Sequence, residues 1–171
     1  MERTAFWNII EGAMSESHGD LERRFQLLVG LLSEMPANSI VGFDNVLSVL
    51  IQEAYSWDLW GAAHIVNGGC SDDSFQDFRR WLVSRGERAY SASIVDPESI
   101  DRWIIGESDI FFEAMGWVAS KAYKIKTGML LNELVNGSSV PQMKEPSGMR
   151  WNSEQELAIR FPRLFAAFRD V

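Results

Sequence analysis

Apolar side chains recur every three or four residues along most of the chain, a spacing that places them on one face of a helix. The first run, with Thr4 as its predicted N-cap, carries Phe6, Ile9, Ile10, Ala13 and Met14. A second run begins after Asp20, a residue type that caps helix N-termini, and stops at Pro36, which disfavours a helical residue before it. The N-terminal part of the chain therefore predicts two helices.

The middle of the chain predicts two helices that lie at the centre of the fold. A helix capped by Ser39 has apolar residues on more than one face, which indicates that it is covered on most sides. Whether it breaks near Ser56 is left open by the pattern. The helical run ends at 67–69, where Gly68 and Gly69 suit a left-handed C-cap, and Ser71 or Asp72 starts the next helix. We therefore expect a central buried helix pair joined by a Gly-Gly corner.

The second half of the chain continues the helical pattern. Asp96 and Pro97 mark a helix start, and Ser108 is predicted to open a long helix that runs to Ile125. Residues 136–149 are rich in Gly, Ser and Pro, which predicts a surface loop, and a capping box begins at Ser153. No convincing strand or internal repeat interrupts this pattern. The sequence predicts an all-α, single-domain multi-helix bundle over residues 1–171.

Charge and composition narrow the classes of function. The chain of 171 residues carries a formal net charge of −8, which argues against nucleic-acid binding because that needs clustered Lys and Arg. Its single cysteine implies no internal disulfide. The first residues lack the pattern of a signal peptide, and no apolar run approaches the ~18 residues of a membrane span. We expect a cytoplasmic protein that binds neither nucleic acid nor membrane.

The Gly-Gly corner is the one stretch that concentrates candidate chemistry. Asp72 and Asp73 could offer oxygen ligands to a metal ion, with Asp58 or Asp77 nearby, although adjacent carboxylates on a helix point in different directions. The same two carboxylates oppose a phosphate at the helix N-terminus. The interpretation that explains most of the motif is structural: a helix cap at Ser71 or Asp72, the small residues Gly61, Ala62 and Ala63 that let another helix or an aromatic ring pack close, and tryptophans as core anchors.

Two side chains next to the corner invite a catalytic interpretation. Cys70 could act as a nucleophile only with a positioned base, and His64 is the only credible one. A zinc site using both would need a further ligand and matches no known spacing. A small core cysteine and a structural histidine are the favoured interpretation.

The candidate binding residues are therefore those of the corner and its flanking helices. They are Asp58, Trp60, His64, Asp72, Asp73, Arg79 and Arg80. We expect Asp58 to be buried and paired with Arg79 or Arg80, since an unpaired buried carboxylate is costly. No catalytic residue, cofactor or metal ligand is assigned.

Several short motifs give the chain a family resemblance. They are Phe6-Trp7, Trp57-Asp58-Leu59-Trp60, Gly68-Gly69-Cys70-Ser71-Asp72-Asp73, Phe78-Arg79-Arg80-Trp81-Leu82, Asp96-Pro97, Ala122-Tyr123, Lys126-Thr127-Gly128 and Phe161-Pro162-Arg163-Leu164-Phe165. In these motifs the sequence resembles a bacterial family catalogued as domain of unknown function 4240. The family tends to have Gly where this chain has Ser74. The resemblance implies a stand-alone or appended module without an assigned activity, and it supplies no residue roles.

Two hypotheses of function follow. The favoured one is a non-enzymatic binding or interaction module with a protein partner, such as an antitoxin or immunity protein, because the chain is small, acidic and helical and lacks a catalytic constellation. The alternative is a small-ligand receptor or metal-assisted enzyme with a pocket near the corner, to which Asp58, Arg79 or Arg80 contribute. Ligand-induced thermal stabilisation would separate the two.

Overall fold

The fold is all-α, as the periodicity predicts. The computed structural model describes residues 1–105, 107, 109–131 and 143–169. About 74% of the residues in these ranges are helical, and they contain no β-strand. The buried apolar residues of successive helices form one hydrophobic cluster that extends from Phe6 to Leu164.

Three helices build the N-terminal half of this core: α1 (Arg3–Ser17), α2 (Leu21–Glu34) and α3 (Ala37–Glu53). The Asp20 side chain caps α2 as expected, accepting a hydrogen bond from the Arg23 amide. The other two predicted caps are wrong. The N-cap of α1 is Glu2 and that of α3 is Pro36, and neither makes a side-chain cap bond, so burial of the apolar faces stabilises these helix starts.

The middle of the chain forms α4 (Trp57–Asn67), α5 (Asp72–Ser84) and α6 (Glu87–Val95). The structure places a break between α3 and α4, where Ser56 Oγ accepts from the Leu59 amide. At the end of α4, Gly68 has a φ of 70° and donates to Ile65 O, and Gly69 donates to His64 O. This Schellman motif is the predicted glycine corner.

The long helix predicted from Ser108 is wrong. A 3-10 helix at Pro97–Arg102 and another at Glu113–Trp117 precede α7 (Val118–Thr127), and Ser108 itself lies outside the described residues. Asp109 Oδ1 accepts from the amides of Ile110 and Phe111, at 2.6 and 3.1 Å, and this local turn competes with helix formation.

Two short helices, α8 (Glu154–Arg160) and α9 (Pro162–Arg169), end the described chain. Ser153 caps α8, while Glu156 accepts from the Asn152 amide instead of returning a bond to Ser153. Of the predicted loop at 136–149, residues 136–142 lie outside the described residues. Residues 143–149 are non-helical, and Ser147 bonds with the backbone on both sides of Ser56.

A buried ionic cluster ties α2 and α5 together. Arg24 makes two hydrogen bonds to the Glu107 carboxylate, at 3.0 and 3.1 Å, and both side chains are at most 2% exposed. Arg85 pairs with the same carboxylate, and Trp81 Nε1 lies 3.3 Å from it. Glu107 is thus the shared acceptor for two cations and an indole.

Gly61 lets the C-terminal helices pack closely against α4, as the small residues there predict. A β-carbon at Gly61 would lie 2.7 Å from Leu157, 3.1 Å from Phe161 and 3.3 Å from Trp151. The absence of a side chain on α4 therefore lets α8 and the aromatic rings beside it approach the helix closely.

Replacing Gly61 with Ala should destabilise the fold by roughly 1–3 kcal/mol, because the added methyl forces packed neighbours apart. Urea unfolding measures this loss. The matched control is Gly30→Ala in α2, where a β-carbon meets nothing within 4 Å. That change should stabilise the protein by about 0.5–1 kcal/mol through helix propensity. Equal changes in the free energy of unfolding of the two variants would contradict the close packing at Gly61.

Candidate functional site

A polar cleft between α3 and α5 is the principal candidate site. Its volume is about 330 Å³, and its lining carries more polar than apolar surface. The lining residues are Asp44, Leu47, Ser48, Ile51, Gln52, Tyr55, Asp72, Gln76, Arg79, Arg80, Gly116 and Met143. Three of the candidates predicted from the sequence, Asp72, Arg79 and Arg80, therefore lie at one cavity.

Arg79 forms part of the cleft wall and is held firmly in place. Its Nη1 donates to Ile51 O at 2.9 Å, and its guanidinium lies over the rings of Tyr55 and Phe75, 4.4 and 4.9 Å from their centroids. Burial lowers the pKa of Arg79 to about 10, while the charge of nearby Asp72 acts in the opposite direction. Arg79 remains a cation at neutral pH, and its interactions connect α3 to α5.

Arg80 has much of its hydrogen-bonding capacity unused. Its Nη1 donates to Asp77 Oδ1 at 2.7 Å. Its Nε is fully buried, and no described residue accepts a hydrogen bond from Nε or Nη2. The guanidinium lies directly over Gly116, where a β-carbon would come within 2.8 Å of its Cζ and Nη2. The glycine thus allows the arginine to lie flat against the backbone at the edge of the cleft.

Two carboxylates share the cleft with the arginines. Burial raises the pKa of Asp44, and its carboxylate forms no hydrogen bond or ion pair with a described residue. Asp72 is exposed, in the first turn of α5. The cleft therefore combines two cationic and two anionic side chains.

The helix cap at the corner is Ser71. Its Oγ accepts from the Ser74 amide at 3.2 Å, so of the two predicted caps the serine is the correct one. Asp73 is exposed and does not line the cleft. Asp72 is consequently free of a capping role and available to the cavity.

The predicted pairing of Asp58 is wrong. Its side chain is 48% exposed and bonds Arg160 of α8, at 2.8 Å, whereas Arg79 and Arg80 bond within α5 and to α3. The cause is the C-terminal segment, which lies along the outer side of α4 and supplies the arginine. Asp58 therefore lies away from the cleft.

We expect Asp58→Asn to lower the free energy of unfolding by about 1 kcal/mol or less, because a half-exposed ion pair gains little over solvation. Chemical denaturation of the Asp58→Asn variant measures this change in the free energy of unfolding. A loss near 3 kcal/mol, as for a buried pair, would show that the pairing with Arg160 is worth far more than its exposure implies.

Trp60 and His64 serve other contacts. Trp60 Nε1 donates to Cys70 O at 2.9 Å, and its ring stacks on Phe75 at 4.9 Å. His64 Nε2 lies 2.9 Å from Glu154 Oε1, and its ring packs on Trp151. Both residues hold neighbouring segments to α4 and do not line the cleft.

The nucleophile and metal hypotheses find little support at the corner. Burial raises the pKa of Cys70 to about 12, so its thiol stays protonated at neutral pH. His64, its only credible base, is engaged with Glu154. Across the part of the chain that the structure describes, no group of three or more His, Cys, Asp and Glu side chains could hold a metal ion.

Sequence reasoning missed two important members of the cleft, Asp44 and Gly116. A signal for Asp44 was present, since Asp44, Ser48, Ile51 and Tyr55 recur at helical spacing and put polar groups on a helix predicted to be covered. No pattern identified Gly116, because its role depends on an arginine 36 positions earlier in a different helix.

The comparisons with known proteins place the chain in a family without supplying a function. The family model described as a protein of unknown function, DUF4240, matches residues 1–125. This range includes α1 to α6 and every cleft residue except Met143, while the C-terminal motifs at 126–128 and 161–165 lie beyond it. Neither the curated proteins nor the solved structures contain a match. No helix in the described ranges is long and apolar enough to cross a membrane.

Proposed function

The chain belongs to the DUF4240 family, described as a protein of unknown function, and we propose from its cleft that it is a non-enzymatic binding module for a small ligand with an anionic group. The observation that carries the proposal is the state of Arg80. Its guanidinium lines a cavity, and Asp77 takes up only one of its nitrogens.

An anionic ligand would satisfy the unused donors of Arg80. A guanidinium presents several N–H groups in a planar fork that matches a carboxylate or phosphate. Because Nε is covered, Nη2 is the donor left for a ligand, and a hydrogen bond to a charged group contributes about 1.5–3 kcal/mol. The volume of about 330 Å³ is at the lower end of the ~300–1,000 Å³ of ligand pockets, which favours a small molecule.

The residues around the cleft favour binding over catalysis. The only cysteine is held as a thiol outside the cleft lining, and His64 is tied to the C-terminal segment. Arg79 is fixed by its contacts with Ile51 and Tyr55 and gives the cavity a rigid wall. A cavity with a rigid wall, and with the cysteine and His64 outside its lining, is suited to selective binding of a ligand.

A thermal-shift screen tests the proposal. Wild-type protein is heated with a panel of small carboxylates, amino acids, inorganic phosphate and nucleotides, because a ligand that binds only the folded state raises the melting temperature. Arg80→Gln removes the charge, and Gly116→Ala displaces the guanidinium while leaving the charge in place. The control is Arg150→Gln, which removes an exposed arginine that lies over Trp57 and does not line the cleft.

We expect at least one anionic compound to stabilise wild-type and Arg150→Gln protein, with the shift strongly reduced in both cleft variants. A panel without any shift, or a shift that survives both cleft substitutions, would overturn the proposal.

A protein partner is the second candidate, favoured by an exposed surface on α7. The α7 surface consists of Trp117, Lys121, Lys124 and Leu130, which border a mostly apolar groove of about 310 Å³. Trp117 is 61% exposed, although such a large ring is normally covered. An acidic protein segment with one apolar side chain suits this combination of lysines and indole, by charge complementarity.

Photo-crosslinking distinguishes this candidate from the cleft. A photoreactive amino acid at Ser120, which lines the groove, should capture the partner in cells. The charge reversals Lys121→Glu and Lys124→Glu should abolish the cross-link, and Arg80→Gln should leave it intact. A cross-link that persists after charge reversal would contradict an acidic partner on this surface.

A further inference from the structure

We infer that the ligand of the cleft is a small zwitterion, whose anionic group is bound by Arg80 and whose cationic group is bound by Asp44. This inference rests on the proposed binding function and adds the charge pattern of the ligand. It follows from the unused Nη2 donor of Arg80 and the unpaired carboxylate of Asp44, since both residues line the same cavity.

The anionic end is set by Arg80. Because Asp77 occupies only Nη1, the Nη2 edge of the guanidinium remains available to accept a carboxylate from the ligand. Arg79 is held more rigidly than Arg80, because its Nη1 donates to Ile51 O and its faces contact Tyr55 and Phe75, so that Nη2 is the donor it has left for a ligand. Its positive charge nevertheless reinforces the attraction for an anion.

The cationic end is set by Asp44. The carboxylate of Asp44 forms no hydrogen bond or ion pair with a described residue, and burial raises its pKa. The neighbouring charges of the lining are Arg79, Arg80 and Asp72. An ammonium group of the ligand would provide the missing counter-charge, with Asp72 as a second acceptor at the open side.

Neither a simple anion nor a simple cation matches the whole cleft. An anion placed against Arg80 would share the cavity with the unpaired carboxylate of Asp44, and a lone amine would leave the Nη2 donor of Arg80 unused. The neutral polar residues Ser48 and Gln76 also line the cavity and can bind the remaining polar groups of a ligand. Free α-amino acids have both charges within the size that the cavity accepts.

Calorimetric titration of matched compounds tests the inference. The amino acid that stabilises the wild-type protein most is compared with the corresponding carboxylic acid, which lacks the amine, and with the corresponding amine, which lacks the carboxylate. The variants are Asp44→Asn, Gly116→Ala and, as a control for loss of an exposed carboxylate on α1, Glu16→Gln.

In wild-type and Glu16→Gln protein, each truncated compound should bind at least about tenfold more weakly than the amino acid, since each loses one charge-assisted contact. In the Asp44→Asn variant the affinity for the amino acid should fall at least about tenfold. The affinity for the carboxylic acid should equal that of the wild type or exceed it. Gly116→Ala should weaken both compounds.

The failures of the two proposals differ. If the carboxylic acid binds wild-type protein as tightly as the amino acid, and Gly116→Ala weakens both, the zwitterion is wrong and the anion-binding function stands. If no compound binds, or if Gly116→Ala has no effect on any of them, the proposed function itself is wrong and the inference fails with it.

Discussion

Replacing Glu107 with Gln should lower the free energy of unfolding by roughly 3–5 kcal/mol, the cost of leaving buried charge without its partner. Glutamine has nearly the same shape as glutamate, so the substitution mainly removes charge. Arg24, which is 1% exposed, and Arg85 then have no carboxylate between them, and Trp81 loses an ionised acceptor. Urea denaturation followed by tryptophan fluorescence measures the change.

The control for Glu107→Gln is Asp58→Asn, the corresponding neutralisation at a half-exposed ion pair. The comparison isolates burial as the cause, because both substitutions convert a carboxylate to an amide. A loss below 1 kcal/mol at Glu107, or equal losses at the two positions, would contradict the role of this carboxylate as the shared acceptor of the core.

Replacing Arg79 with Met should cost roughly 3 kcal/mol of stability, although the side chain lines a candidate binding site. Methionine keeps the length and most of the apolar contact but removes the charged hydrogen bond to Ile51 O, worth about 1.5–3 kcal/mol, and the cation–π contacts with Tyr55 and Phe75. The measurement is again the unfolding midpoint in urea.

Arg80→Met is the matched comparison for Arg79→Met, because the two arginines are adjacent on α5. Among the described residues Arg80 has one ion pair, with Asp77 one turn earlier on the same helix, and both side chains keep about a fifth of their surface in solvent, so its loss should cost about 1 kcal/mol or less. If Arg80→Met destabilises as much as Arg79→Met, the division into a structural arginine and a binding arginine is wrong.

The features that sequence predicted well are local. The caps at Asp20, Ser71 and Ser153 and the glycine corner each depend on atoms within a few residues, and each forms, although the second bond of the capping box at Ser153 is not made. The caps predicted at Thr4 and Ser39, which are equally local, are wrong. Gly61 was also correctly interpreted, because a helix position without a side chain next to alanines predicts close packing whatever element provides the neighbour.

Most of the features that the sequence could not predict depend on distant partners. Asp58 meets Arg160, which is 102 residues later, and no periodicity specifies that the C-terminal segment crosses α4. The long helix predicted from Ser108 has apolar residues at helical spacing, yet a backbone bond from Phe112 to Asp77 O and the turn at Asp109 replace its first turns. Tertiary contacts here outweigh local propensity.

The candidate site was predicted in part. Arg79, Arg80 and Asp72 meet at the cleft, but the reason differs from the one inferred, since neither arginine serves Asp58. The tertiary structure adds Asp44 from α3 and Gly116 from the second 3-10 helix. The sequence predicts the charge of a side chain and the helix face on which it lies, but it does not predict which helices pack against each other.

The most direct test of the account follows the Nε–H signal of Arg80 in an arginine-resolved NMR spectrum during titration with the amino acid that stabilises the protein most. Arg85 provides an internal control, because its Nε is likewise buried without a partner but lies outside the cleft lining. Arg80→Lys identifies the signal. The account predicts that the Arg80 signal moves to saturation while the Arg85 signal stays in place. An Arg80 signal that stays in place at saturating ligand, or that moves together with Arg85, would contradict it.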